Sequence, residues 1–348
     1  MHGKTLAFLL AAAAVLAGVW LLPAGQRAQP GDSAAGQRLF PGLEDRLNDI
    51  TRIRIDHHGT RYAVARKDGL WRLPDRGGYP ARFEQVKPFL LGIALLEKME
   101  PQTDRTERYT CLGVQPPSMD SDNLQISLYT AADRPLVSLI VGRVRHGLFA
   151  GDRDGIYVRV ADQARAWLVA GNLALPQAPV DWVDRRIIHI KPKRVRRVTI
   201  AHPDGSRLVL EKPHPGAADF RLLDPPAGAT LKAGVKLNVL ARTLAGLKMD
   251  DVAVRADAEL SGPARVSSVF ETWDGLRVTA HSIDRAGGVW VWFDIDVSAP
   301  DAPDPSRLDA VRAEAAGWRA RLDGWVYRIP RPRGDRLRAR RASVLEPD

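Results

Sequence analysis

The chain has 348 residues, 45% apolar and 26% charged, with nine Trp, eight Phe and six Tyr, a composition that supports packed cores, leaves room for two ordinary domains and excludes disorder over most of the length. Its formal charge of +10 permits nucleic acid, anionic lipid or an acidic partner without choosing among them. The single cysteine, Cys111, excludes an internal disulfide and every CxxC metal or redox motif, and is expected as buried packing.

The first element is Leu6 to Leu22, seventeen apolar or small residues without a charge, preceded by Lys4 and ended by Pro23. That length reaches the lower limit for a membrane-spanning helix, and Trp20 sits where an indole suits the lipid–water interface. An uncleaved anchor over residues 1–24 is the expectation, with a cleaved signal as the alternative. The short tail carrying Lys4 stays inside, so the rest of the chain lies beyond the inner membrane, single-pass and extracytoplasmic. Nucleic acid then drops out as a partner. Residues 25–38, rich in Gly, Ala, Gln and Pro, form a flexible tether.

Beyond the tether a pattern occurs twice, offset by about 145–150 residues. Ile50–Ile55 and Val195–Ile200 both alternate apolar and polar residues, as half-buried strands do. Each runs into a polar turn, Asp56 to Gly59 and His202 to Gly205, then into strands at Tyr62–Val64 and Leu208–Leu210. Short third strands follow at Leu70–Leu73 and Phe220–Leu222. A helix comes next in each copy. Phe83, Val86, Phe89, Leu90, Ile93 and Leu96 form one stripe; Leu231, Val235, Leu240, Leu244 and Leu247 form the other. Strands return at Leu124–Leu128 and Leu136–Val141, and at Val266–Thr272, Leu276–Ala280 and Val289–Phe293. Late aromatic strands, Ala166–Val169 and Trp325–Ile329, lead into short basic helices near Trp182–Arg186 and Asp335–Arg341. The second copy carries an inserted helix capped by Asp304-Pro305, with Leu308, Val311, Ala315, Trp318 and Leu322 inward.

The expected fold is therefore α+β: two tandem strand-strand-strand-helix-strand-strand units at 39–180 and 181–341, followed by a tail at 342–348. Each unit is an antiparallel or mixed sheet covered by a helix. A cleft between the units is the default binding site.

Motifs of chemistry are scarce. The sequence holds no phosphate-binding GxxxxGK[ST], no GxSxG elbow, no HExxH and no EF-hand loop. His57, His58 and His202 fall at equivalent turns, and turn polarity accounts for them better than a shared metal does. Helix capping likewise accounts for Asp301 to Asp304. Two basic clusters occupy equivalent places after the late strands. One runs through Arg185, Arg186, Lys191, Lys193, Arg194, Arg196 and Arg197. The other runs through Arg328, Arg331, Arg333, Arg336, Arg338, Arg340 and Arg341. Apart from Lys191 and Arg328, these are the candidate contacts with anionic head groups or an acidic partner; a solvated Arg-rich face is the plainer account. No catalytic residue, cofactor or metal ligand emerges.

Several short strings carry a family resemblance: Leu39–Leu43, Leu47–Ile50, Gly69–Trp71, Gly77–Pro80, Tyr109–Gly113 with Pro116-Pro117, Ser138–Gly142 and Pro179–Trp182. Over roughly residues 39–340 the chain resembles the bacterial family called domain of unknown function 4340. The resemblance implies an envelope-anchored protein, often associated with auxiliary components of gliding-motility-type ABC transporters, and supplies no functional residues. The expectation is a non-enzymatic envelope accessory or binding protein. A structural scaffold and an envelope hydrolase of cell-wall or polysaccharide substrates remain as alternatives.

Overall fold

A computed structural model describes residues 35–346 other than 133, 235, 259, 261–264, 286 and 299–304. The anchor expected at 6–22 and the Asp301–Asp304 loop lie outside the described residues. Among those described, no helix is long and apolar enough to cross a membrane.

Antiparallel sheets dominate, with few helices. The first sheet is built from β1 (Arg52–His57), β2 (Thr60–Lys67), β3 (Leu70–Leu73), β4 (Tyr79–Pro80), β5 (Glu97–Pro101), β6 (Leu124–Tyr129), β7 (Pro135–Phe149), β8 (Arg153–Val160) and β9 (Ala166–Gly171). Its order is β4-β3-β2-β1-β6-β7-β8-β9-β5. The next strands are β10 (Arg186–Ile188), β11 (Val195–Ala201), β12 (Arg207–Glu211), β13 (Arg221–Leu222), β14 (Leu247–Lys248), β15 (Asp251–Val254), β16 (Val266–Thr272), β17 (Leu276–Arg285), β18 (Gly288–Val297) and β19 (Trp325–Ile329). They form a second sheet, β13-β12-β11-β16-β17-β18-β19-β15, and a two-stranded ribbon of β10 and β14. With β4 set aside, the two large sheets run through their strands in the same sequence.

Period-two burial explains the strands. Ile53, Ile55 and His57 of β1 point inward while Arg52, Arg54 and Asp56 do not, and β16 alternates without a break. The helix Phe83–Ala94 buries Val86, Phe89, Leu90, Ile93 and Ala94. Phe83, expected in that stripe, is 56% exposed, because it opens the first turn and overhangs the core. Trp182 meets Phe89 edge-to-face, ring centres 4.9 Å apart, a contact that contributes about 1 kcal/mol beyond its burial. The helix Pro305–Leu322 carries its expected inward face, with Val311, Ala315 and Leu322 buried.

Four expectations need correction. The stripe from Leu231 to Leu247 yields a helix only over Leu237–Ala241. Gly234 and Gly246 flank it at φ of +78° and +63°, left-handed backbone that a longer helix cannot contain. Leu231 instead makes a bridge to Leu345, and Leu247 joins β14. The basic helix expected near Trp182–Arg186 is a 3-10 turn, Pro179–Trp182, followed by β10. Its counterpart at Asp335–Arg341 is two helices, Arg331–Leu337 and Arg341–Val344. Cys111 is exposed, because it lies in a single helical turn, Tyr109–Leu112, of which only Tyr109 is buried.

The two sheets meet at a seam. Arg76 grips Asp251 with two bonds, Nε to Oδ1 at 2.7 Å and NH2 to Oδ2 at 3.3 Å. Tyr79 packs edge-to-face on Trp325 with ring centres 4.8 Å apart. Gly77 lies at φ +63°, and a Cβ there would stand 2.0 Å from the Val254 side chain, so only glycine fits.

Candidate functional site

The second basic cluster is shaped by its two helices. Pro332 opens the first helix, a place that tolerates the missing N–H. Gly334 lets that helix sit close on β18: a Cβ there would be 2.5 Å from Val289. Leu337 and Gly334 face inward, which turns Arg333 and Arg336 toward the rim. The following residues are pinned from below. The Ala339 carbonyl lies 3.1 Å from His202 Nε2, and the Ser268 hydroxyl donates to the Leu337 carbonyl.

Between these helices and the short helix Leu237–Ala241 lies an open groove of about 790 Å³. Val239, Leu240, Ala339, Ala342 and Val344 supply apolar walls, and Lys236, Arg336, Arg338 and Arg340 supply charge. Asp335 is the acid on its lining, and it pairs with Arg331 at 3.2 Å. Arg340 is held by Asp204 at 2.6 Å. Among the described residues Lys236 and Arg336 make no ion pair. Arg333 donates to the carbonyls of Arg242 and Thr243, both at 3.1 Å, so the cluster also clasps the short helix. Burial, and then the Arg336 charge, hold the Arg333 guanidinium below its ordinary range. Burial does the same to Arg338, which donates to the Ser282 carbonyl at 3.0 Å. Arg341 donates to the Arg207 carbonyl at 2.9 Å. Carbonyl partners satisfy donors and leave the charge in place. The groove can therefore take an anionic, partly apolar surface.

The first cluster is arranged otherwise. Arg194 binds Glu314 through two bonds of 3.0 and 2.8 Å and Asp274 through a third of 2.8 Å. Those partners raise its proton affinity, Glu314 foremost. Arg197 pairs with Glu211 at 2.8 Å, Arg196 reaches the same carboxylate at 3.8 Å, and Arg185 pairs with Asp250 at 3.0 Å. Lys193 and the Arg186 side chain stay exposed.

The histidines at the two turns have separate partners. His57 and His58 adjoin, with ring centres 4.1 Å apart, whereas His202 is buried against Ala339. Among the described residues no three His, Cys, Asp or Glu side chains converge as a metal-binding group.

One constellation has no sequence motif. Ser267 Oγ lies 3.0 Å from His281 Nδ1, and His281 Nε2 lies 2.8 Å from Asp294. The three stand on β16, β17 and β18; Ser267 and His281 have ladder neighbours on both sides, and Asp294 has one on β17. Among the described residues that leaves no pair of free ladder N–H donors for an oxyanion beside Ser267. His281 also stacks on Trp292 at 5.3 Å. The row is a cross-strand hydrogen-bond ladder that orients the imidazole.

Fold and site together define an antiparallel α+β chain with a basic, amphipathic groove near its C-terminal end. The chain belongs to the family described as domain of unknown function (DUF4340), whose model matches residues 71–265 and so spans most of the first sheet and the opening strands of the second. No curated protein and no solved structure matches the chain.

Proposed function

We propose that the protein is a non-enzymatic accessory or binding protein of the bacterial envelope, anchored in the inner membrane through residues 6–22 with the remainder outside the cytoplasm. It works with an ABC-type transporter or another membrane assembly. The groove beside Leu237–Ala241 is the observation that carries this reading, because it sets unneutralised Lys236 and Arg336 over apolar walls. A chain tethered to a bilayer meets anionic head groups at high effective concentration. Each basic side chain near such a surface contributes about 1 kcal/mol. We take the two large sheets as tandem copies of one unit; their common strand order supports this.

The test places a photo-crosslinking residue at Val239, which is 38% exposed on the groove wall, in intact membranes. The expected product is an adduct with anionic phospholipid whose yield falls as salt is raised. Absence of any membrane adduct overturns the reading. A reporter fused after Asp348 that is active only in the cytosol overturns the address as well.

A further inference from the structure

The short helix Leu237–Ala241 has a second flank. Behind it lies a separate pocket of about 380 Å³, lined by Lys193, Lys212, Phe220, Asn238, Arg242 and the loop at Pro215–Ala218. Lys212 follows β12 and continues its inward register: Leu208 and Leu210 are buried, and Lys212 is only 7% exposed. The strand geometry thus places an amine where a hydrophobic side chain would complete the core. Its ammonium lies over the Phe220 ring, 5.2 Å from the centroid. Among the described residues Lys212 makes no ion pair and no side-chain hydrogen bond.

The stem is packed while the ammonium faces the pocket, so the wall carries a charge that no protein carboxylate neutralises. No carboxylate lines the pocket. Two acids adjoin its lining in sequence, and both are engaged elsewhere: Glu211 pairs with Arg197 at 2.8 Å, and Asp219 is held by the Asn238 amide at 2.7 Å. Asn238 is fixed in turn, since its carbonyl oxygen accepts the Phe220 N–H at 2.9 Å. Lys193 and Arg242, both exposed, add two further cations at the mouth.

We propose that this pocket is a binding site for a phosphate-type oxyanion, with Lys212 as the counter-charge on its wall and Lys193 and Arg242 at its mouth. The partner is identified by chemistry: a compact group of two or more anionic oxygens suits three cations that line one pocket. A phosphorylated head group and a soluble phosphate share that chemistry. The site does not depend on the membrane reading of the neighbouring groove.

Inorganic phosphate is the probe. The full chain in nanodiscs of neutral lipid is titrated calorimetrically at low ionic strength, and a saturable one-site isotherm is expected. Lys212→Met is expected to lose at least about tenfold in affinity. In phosphate-free buffer the same variant should be as stable as the parent or more so, because Met keeps the packed stem and removes an ammonium that has no ion-pair partner. A structural role for Lys212 predicts the opposite sign. Lys193→Gln and Arg242→Gln, at exposed positions that do not threaten folding, should each weaken binding about three- to tenfold. Repeating the titration in discs containing phosphatidic acid separates the sources: suppression of the phosphate isotherm identifies a head group as occupant, and its persistence identifies a soluble ligand. No saturable binding by the parent chain, or unchanged affinity in Lys212→Met and Arg242→Gln, overturns the proposal whatever Val239 crosslinks to.

Discussion

Arg194 and Arg333 each belong to a string of basic residues placed after a late aromatic strand, and they end on opposite kinds of partner. Arg194 is surrounded by carboxylates, Glu314 and Asp274, that cancel its charge while fixing the helix Pro305–Leu322 to the turn after β16. Arg333 spends its donors on two backbone carbonyls, which order the side chain but leave the charge standing beside Arg336. The same contrast holds for Arg197 with Glu211 against Arg341 with the Arg207 carbonyl. Two segments with the same number of basic residues therefore differ in field: one is mortar between elements, the other a surface that attracts.

The sharpest way to break that contrast is to delete an arginine of each kind. Arg194→Leu leaves Glu314 and Asp274 half-buried and unpaired, and should cost about 2–3 kcal/mol in chemical denaturation without lowering the yield of lipid adduct at Val239. If the adduct falls instead while stability holds, the assignment of the first cluster as structural is wrong. Adding Glu314→Leu should restore part of the lost stability, because an apolar pair replaces a broken ionic one.

The converse variant is Lys236→Gln with Arg336→Gln. Two charges near an anionic surface amount to about 2 kcal/mol, so the lipid adduct should fall by about tenfold or more. Unfolding should shift by no more than about 0.5 kcal/mol, as expected for changes outside ion pairs.

Smaller effects test the turns. Burial, and then the neighbouring His58, lower the proton affinity of His57. The unfolded chain therefore takes up this proton first as pH drops through about 6.5, so stability contributed at neutral pH declines on acidification and levels off below the folded-state value. An imidazole NMR titration should place the His57 midpoint under the ordinary histidine value; a midpoint at or above it contradicts the burial argument. The smallest effect concerns Cys111. One thiol should react with Ellman's reagent in the native protein, and Cys111→Ser should change stability by no more than about 0.5 kcal/mol. A thiol that titrates only after denaturation would return Cys111 to the interior.

What could be foreseen in the sequence followed the strength of local pattern. Val266–Thr272 and Trp325–Ile329 coincide with β16, where alternation is uninterrupted, and with β19, whose aromatic and β-branched residues favour a strand. The Asp304-Pro305 pair and the spacing from Leu308 to Leu322 foreshadowed the long helix. β5 was hidden, because Glu97, Lys98 and Met99 continue a helical run and become strand only by pairing with β9 far along the chain. β15 depends in the same way on β19. The groove was half visible: Arg336, Arg338 and Arg340 stood out as charge, but Lys236 and Val239 come from a segment about a hundred residues earlier. Lys212 had a signal that went unused, since the alternation of Leu208 and Leu210 extends to it.

The sheets also differ from most open sheets in how their outermost strands are finished. β4 and β13 are two residues long. β5 is zipped over by residues 36–39, from the end of the expected tether, through bonds such as Gly36 N–H to the Lys98 carbonyl and Leu39 N–H to the Leu96 carbonyl. β15 is occupied by Arg76 and Gly77 at the seam. Long bare strand margins are templates on which further copies of a chain can stack into fibres. Here each of the four margins is either clipped or already taken, so crowding many copies together need not seed polymerisation through their sheets.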